Sequence, residues 1–201
     1  MIGPPAGATR DWVERLRSRG ALLEGHFRLS SGLHSPRYVQ CALLLQHPGD
    51  AGAAGAELAA RLSERVAPAP DAVVSPAIGG IVLGHEVARA WGSRAVWAER
   101  AGPEGELTFR RGFALGPGER VVAVEDVVTT AGSLKELVAL CRASGAEVVG
   151  AGALVDRSGG RLEWDIPWAA LVEIEVEQHA AESCPQCAAG LPAIKPGSRP
   201  G

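Results

Sequence analysis

The segment Val121-Val122-Ala123-Val124-Glu125-Asp126-Val127-Val128-Thr129-Thr130-Ala131-Gly132-Ser133 places two adjacent acids at the end of a β-branched hydrophobic run, followed by a short hydroxyl-rich loop. The apolar residues after it, Leu134, Leu137, Val138 and Cys141, recur at helical spacing, and Ser133 with Glu136 reads as a capping box. A helix beginning there offers unpaired amide donors and a partial positive charge, which suit an anion. Thr129, Thr130 and Ser133 add hydroxyl donors. Glu125 and Asp126 can accept hydrogen bonds from vicinal hydroxyls of a sugar, and their charge would stabilise a cation developing at an anomeric carbon. Together these features suit a ribose phosphate. Two acids after a strand are ordinarily a solvated loop or an N-cap; the specificity lies in the combination.

Alternating elements position this segment. Residues 9–19 read as an amphipathic helix, with Trp12, Val13 and Leu16 on one face. Residues 21–29 and 37–45 read as strands joined by the polar turn 30–36, which predicts a small hairpin unit. Residues 49–66 read as a helix. From residue 71 strands and helices alternate: strands at 71–75, 93–99, 120–125, 146–155 and 169–176, helices at about 80–91 and 133–144. Residues 107–113 form one arm of a hairpin after the turn 102–105. This predicts an α/β fold with a mainly parallel central sheet flanked by helices, and ligands at the carboxyl ends of the strands.

Composition narrows the function classes. The chain has 201 residues, 46% of them hydrophobic and 21% charged, as in a globular protein. No apolar run reaches the roughly 18 residues of a membrane span. A net charge of −3 disfavours nucleic acid as a partner. A polyanionic ligand must therefore be met by local groups. Only Lys135 and Lys195 are lysines, so arginines supply most of the positive charge. The Gly-, Pro- and Ala-rich residues 1–10 lack the charged-then-apolar order of a signal peptide, and the cytoplasm is the expected compartment.

The segment 121–133 resembles the PRPP-binding signature of the type I phosphoribosyltransferases, PRPP being 5-phosphoribosyl-1-diphosphate. Ala131 stands where that family usually has glycine. Beyond the loop, nearly the whole chain is similar to the orotate phosphoribosyltransferases, in a bacterial branch with a short active-site loop. The resemblance rests on Gly25-His26-Phe27-Arg28-Leu29-Ser30-Ser31-Gly32-Leu33-His34-Ser35-Pro36, on Ser75-Pro76-Ala77-Ile78-Gly79-Gly80, on Glu99-Arg100, on Asp156-Arg157, and on the tail motifs Cys184-Pro185-Gln186-Cys187 and Lys195-Pro196-Gly197-Ser198-Arg199. It implies a type I phosphoribosyltransferase fold with a small N-terminal hairpin and helix unit, the hood. The implied division is 1–48 for the hood, which contributes to the base site, 49–180 for the α/β core, and 181–201 for a Cys-x-x-Cys tail.

By this resemblance PRPP is held by Ala77, Ile78, Gly79, Arg100 and the run Glu125, Asp126, Val127, Val128, Thr129, Thr130, Ala131, Gly132 and Ser133. Glu125 and Asp126 are its catalytic acids. Orotate is held by Ser31, Gly32, Thr129 and Arg157, the last facing the orotate carboxylate. Magnesium enters with the substrate, without a firm protein ligand, and the assembly is a homodimer in which the loop 101–112 reaches the partner site. That loop lacks the family's lysines and histidine, leaving Arg110 and Arg111 as its bases; Gly79 stands where the family has a lysine. A phosphoribosyltransferase for a purine or other base, and a non-catalytic sensor of PRPP or a nucleotide, are the alternative readings.

Cys41 and Cys141 read as isolated buried thiols. Cys184 and Cys187 form a single Cys-x-x-Cys, which reads as a pair of ordinary thiols before a zinc pair, and as a zinc pair before a redox pair. A structural zinc takes four ligands. His179 is the third candidate in the sequence, and no fourth stands out.

Overall fold

A computed structural model describes residues 6–29, 31–101 and 105–195. Ser30, in the expected hairpin turn, and residues 102–104 and 196–201 lie outside the described residues. Helix α1 (Ala6–Ser18) leads into a two-stranded antiparallel sheet, β1 (Leu22–Arg28) and β2 (His34–Val39), followed by the short α2 (Ala42–Leu45) and by α3 (Pro48–Ser63). The core then runs β3 (Ala72–Pro76), α4 (Gly80–Trp91), β4 (Arg94–Ala101), β5 (Glu106–Phe109), β6 (Arg120–Val128), α5 (Gly132–Ala143), β7 (Glu147–Asp156) and β8 (Trp168–Glu173). A 3-10 turn (Ala181–Ser183) and the short α6 (Pro185–Ala188) end the ordered elements.

The six core strands lie in the order β5-β4-β3-β6-β7-β8, all parallel except the β4–β5 hairpin. The sheet is buried on both faces, which is why residues 72–74 of β3 and 121–124 of β6 are continuous apolar runs. On one face Val73, Val122, Val124 and Leu154 pack with Leu58, Leu62 and Leu83 of α3 and α4. On the other, Val74, Val121 and Ala123 pack with Leu134, Leu137 and Cys141 of α5. Trp12 and Leu16 of α1, Leu22 of β1, Val39 of β2 and Leu44 of α2 belong to the first of these clusters, so the N-terminal elements share a core with the α/β domain.

Three expectations are corrected. The second hairpin strand stops at Val39, and residues 42–45 form a helical turn that buries Leu44 and Leu45 against the core. Strand β6 continues through both acids to Val128, because β7 extends alongside it: Glu125 pairs with Ala153 and Val128 with Asp156. The capping box is absent. Helix α5 starts at Gly132 after Ala131 in the left-handed region (φ 60°), with no side-chain cap, and Glu136 turns away to other partners.

Candidate active site

The extension of β6 decides where the acids point. Successive strand residues face opposite sides of a sheet. Glu125 therefore faces the α5 side, in a cleft with Arg100, Thr129 and Ser133. Asp126 faces the loop between β3 and α4, where its carboxylate lies against Gly79. Both acids are largely desolvated. Burial, then the neighbouring charge of Asp126, pushes Glu125 up to about 7, with Arg100 opposing the shift. Asp126 is also raised by burial, against a hydrogen bond from the Val127 amide.

The loop after β6 does the rest. Thr129, Thr130, Ala131, Gly132 and Ser133 line the same cleft as Glu125. With no side chain capping α5, the first amides of that helix remain free for an anion. Arg100 reaches this cleft from the end of β4. Its guanidinium donates to Glu136 (3.0 Å) and to the Gly105 carbonyl (2.8 Å), and lies 3.4 Å from the Ser133 hydroxyl. Glu136 also accepts the Leu107 amide at 2.8 Å, so the glutamate expected to cap α5 ties it to the β4–β5 hairpin instead. Arg110 and Arg111 both engage Glu99 and do not line this cleft. Ala77, Ile78 and Gly79 form the β3–α4 loop beside Asp126; the Ala77 amide is bound to the Ala98 carbonyl (2.7 Å), and the Ile78 side chain is exposed.

Thr129 and Thr130 also border two further clefts, both lined by Arg157. Arg157 follows β7, its amide donating to the Val128 carbonyl at 2.8 Å. It is 9% exposed, and its Nε and one terminal nitrogen lack a hydrogen-bond partner. Burial lowers its pKa from the usual guanidinium value. A buried guanidinium with unused donors is costly unless a ligand completes it. Ser31 lines the second of these clefts; Gly32 (φ 85°) is in the adjoining turn and exposed. Arg28, Tyr38, Gln178 and Lys195 line it too, and the sequence reading did not single them out for this site. Lys195, one of two lysines in the chain, was the one available signal. Cys41 is buried beneath, its Sγ 3.7 Å from the Asp126 carbonyl, and its thiol is pushed up by burial.

Cys184 and Cys187 lie outside these clefts. Their neighbours are His26 and His34, not the expected His179, whose imidazole faces Glu177 at 3.4 Å.

Comparison with known proteins gives the family. Residues 44–186 match the phosphoribosyl transferase domain family. The chain is 50% identical over 192 residues to an orotate phosphoribosyltransferase of Pelotomaculum thermopropionicum, covering 95% of this chain and 98% of the relative. It is 47% identical over 186 residues to that of Thermotoga maritima, covering 92% and 97%. Among solved structures, orotate phosphoribosyltransferase from Aeropyrum pernix superposes with a TM-score of 0.65 at 27% identity, covering 80% of this chain and 92% of that one. A chain 47–50% identical to such relatives over more than nine-tenths of its length belongs to the orotate phosphoribosyltransferase family.

Proposed function

We infer that the protein transfers the phosphoribosyl group of PRPP to orotate, giving orotidine 5′-monophosphate and diphosphate, a step of pyrimidine biosynthesis. The observation that carries this reading is Arg157, a buried guanidinium with two unpaired nitrogens at the mouth of a cleft. Orotate differs from uracil by one carboxylate, which such a fork can bind through two charge-assisted hydrogen bonds. Arg28 and Lys195 add positive charge to the same cleft.

PRPP then lies across the cleft bordered by Thr129 and Thr130. Its 5′-phosphate is held by Thr129–Ser133 and the free amides of α5, and its ribose hydroxyls by Glu125 and Asp126. The diphosphate lies toward Arg100 and the loop Ala77, Ile78, Gly79. A ring nitrogen of orotate forms the new bond to the anomeric carbon as the bond to the diphosphate oxygen breaks, and the proton that this nitrogen carried leaves to solvent or to the departing diphosphate. Positive charge on the ribose grows in that step, and the carboxylates of Glu125 and Asp126 stabilise it. Each acid offers carboxylate oxygens, the ligand type that a hard divalent cation takes. Bound magnesium supplies charge neutralisation at the leaving diphosphate.

The working form we propose is a cytoplasmic homodimer; among the described residues no helix is long and apolar enough to cross a membrane. The test is orotate consumption by purified protein with PRPP and Mg²⁺, alongside uracil, adenine and hypoxanthine, with light scattering to give the mass in solution. Turnover of a purine in preference to orotate sinks the base assignment. Full activity in excess EDTA removes the metal from the reaction.

A further inference from the structure

The side chains of His26, His34, Cys184 and Cys187 converge where the hairpin meets the C-terminal segment, with one ligand atom from each lying within 4.8 Å of all the others. His26, His34 and Cys184 are buried and Cys187 partly so. We propose that this cluster is a structural Zn²⁺ site of Cys2His2 type, separate from the reaction centre.

The distances fit the ion. Zn–S bonds of about 2.3 Å and Zn–N bonds of about 2.0–2.1 Å at tetrahedral angles set sulfur and nitrogen about 3.5 Å apart. Cys184 Sγ is 3.5 Å from His26 Nε2; Cys187 Sγ is 3.6 Å from His26 Nε2 and 3.2 Å from His34 Nδ1. His26 Nε2 and His34 Nδ1 approach to 2.8 Å, so the imidazoles need to separate by only about half an ångström to meet the same tetrahedral geometry. The outer contacts are those of a ligand set. His26 Nδ1 lies 2.8 Å from the Leu191 carbonyl, and donating to it leaves Nε2 free to ligate. The Gln186 side chain donates to the Gly25 carbonyl at 2.9 Å, holding the Cys-x-x-Cys turn on the hairpin. Binding releases the two thiol protons to solvent, so two thiolates and two neutral imidazoles leave the buried site uncharged.

The local structure explains why the sequence concealed the set. A register shift between Glu24 and Phe27 makes His26 and Phe27 successive buried residues of β1, which turns His26 toward the cluster. His34 opens β2, and the cysteines arrive from more than 150 residues away. A two-stranded hairpin is marginal in water, so an ion joining it to the C-terminal segment would add stability that its own pairing lacks. Beyond the cluster the chain continues the docking: the Arg28 amide donates to the Ile194 carbonyl and the Ile194 amide to the His26 carbonyl, each at 2.8 Å. Lys195 follows, lining the cleft with Arg28, Ser31 and Arg157. The ion would thereby pin one wall of the proposed base site, a consequence that rests on the assignment of that cleft.

The test is metal content first. Full-length protein purified without chelator is expected to contain one zinc per chain by elemental analysis. After stripping, one equivalent of ZnCl2 should rebind, and Co²⁺ in its place should give the intense visible and thiolate charge-transfer absorption of a tetrahedral site. His179→Ala should keep the zinc; Cys184→Ser with Cys187→Ser should lose it and lower Tm. Stripping should raise KM for orotate several-fold with little change for PRPP. No zinc uptake at micromolar concentration, or a Co²⁺ spectrum without thiolate bands, overturns the site. Both readouts use the wild-type chain, so poor folding of the cysteine variant does not obscure the outcome. Zinc binding without orotate turnover would leave the site standing and reject the catalytic assignment alone.

Discussion

A Cβ atom on Gly79 would lie 2.8 Å from both carboxylate oxygens of Asp126. The β3–α4 loop is thus packed directly on the acid at the end of β6, and the position where the family resemblance implies a lysine admits no side chain in this conformation. The leaving-group cation that a lysine would supply must come from elsewhere, and Arg100 is the described arginine that lines the neighbouring cleft. Gly79→Ala is expected to displace the loop or the acid and cut kcat/KM for PRPP by roughly tenfold or more, the cost of about 1–3 kcal/mol for overpacking. Unchanged steady-state kinetics would show that the contact has no role.

Asp126→Asn should fold with an unchanged Tm to within a few degrees, since the amide keeps the shape. Turnover should fall roughly 100-fold or more, as for other losses of a preorganised electrostatic partner. Near wild-type kcat in this variant would remove Asp126 from the catalytic role.

Arg157→Ala should raise KM for orotate about 30-fold, the equivalent of about 2 kcal/mol at the low end for a truncated buried charge pair. KM for PRPP should move little, because the contacts proposed for it come from other residues. An equal loss for both substrates would indicate a folding defect, and no loss for orotate would take the carboxylate away from Arg157.

The raised carboxyl of Glu125 gives a pH signature. Its folded value of about 7 exceeds the ordinary carboxyl value of about 4.5, so the folded state binds the proton more tightly than the unfolded chain. The stability this contributes is full below about 4.5 and is lost as pH rises through about 7. The ligand-free protein should therefore lose Tm across that window, and Glu125→Gln should flatten the loss. Conversely, kcat/KM for PRPP should fall as pH drops below about 7, where the carboxylate takes up its proton. The substrate's own phosphates titrate near pH 6, so the diagnostic result is the comparison: a limb of unchanged midpoint in Glu125→Gln assigns it to the substrate.

Ala131 carries φ 60°, a conformation costing a non-glycine residue about 1 kcal/mol. Ala131→Gly should relieve that strain and raise Tm by a few degrees without weakening PRPP binding. A lower Tm would mean that the added freedom of the unfolded glycine outweighs the strain.

Much of this was legible in the chain. The acid pair, the hydroxyl loop and the first residues of the helix after it lie within the thirteen consecutive residues 121–133, so local spacing alone assembles them. The alternation of strands and helices follows from hydrophobic periodicity, and β3 and β6 read as buried because they are apolar on both faces. Other features were decided only by tertiary structure. Glu136 fits a capping box by spacing, yet Arg100 and the Leu107 amide, distant in sequence, compete for its carboxylate and win. The two acids look like one loop feature, but pairing with β7 keeps them in the strand and sends them to opposite faces. By residue type alone Arg157 reads as a surface arginine, and only its place after a strand and the family resemblance single it out; burial after β7 leaves its donors unpaired. His179 is the histidine nearest in sequence to Cys184 and Cys187, yet a register shift in a strand near the other end of the chain brings His26 to them instead. Spacing records which residues are neighbours along the backbone; the sheet and the hairpin determine which become neighbours in space.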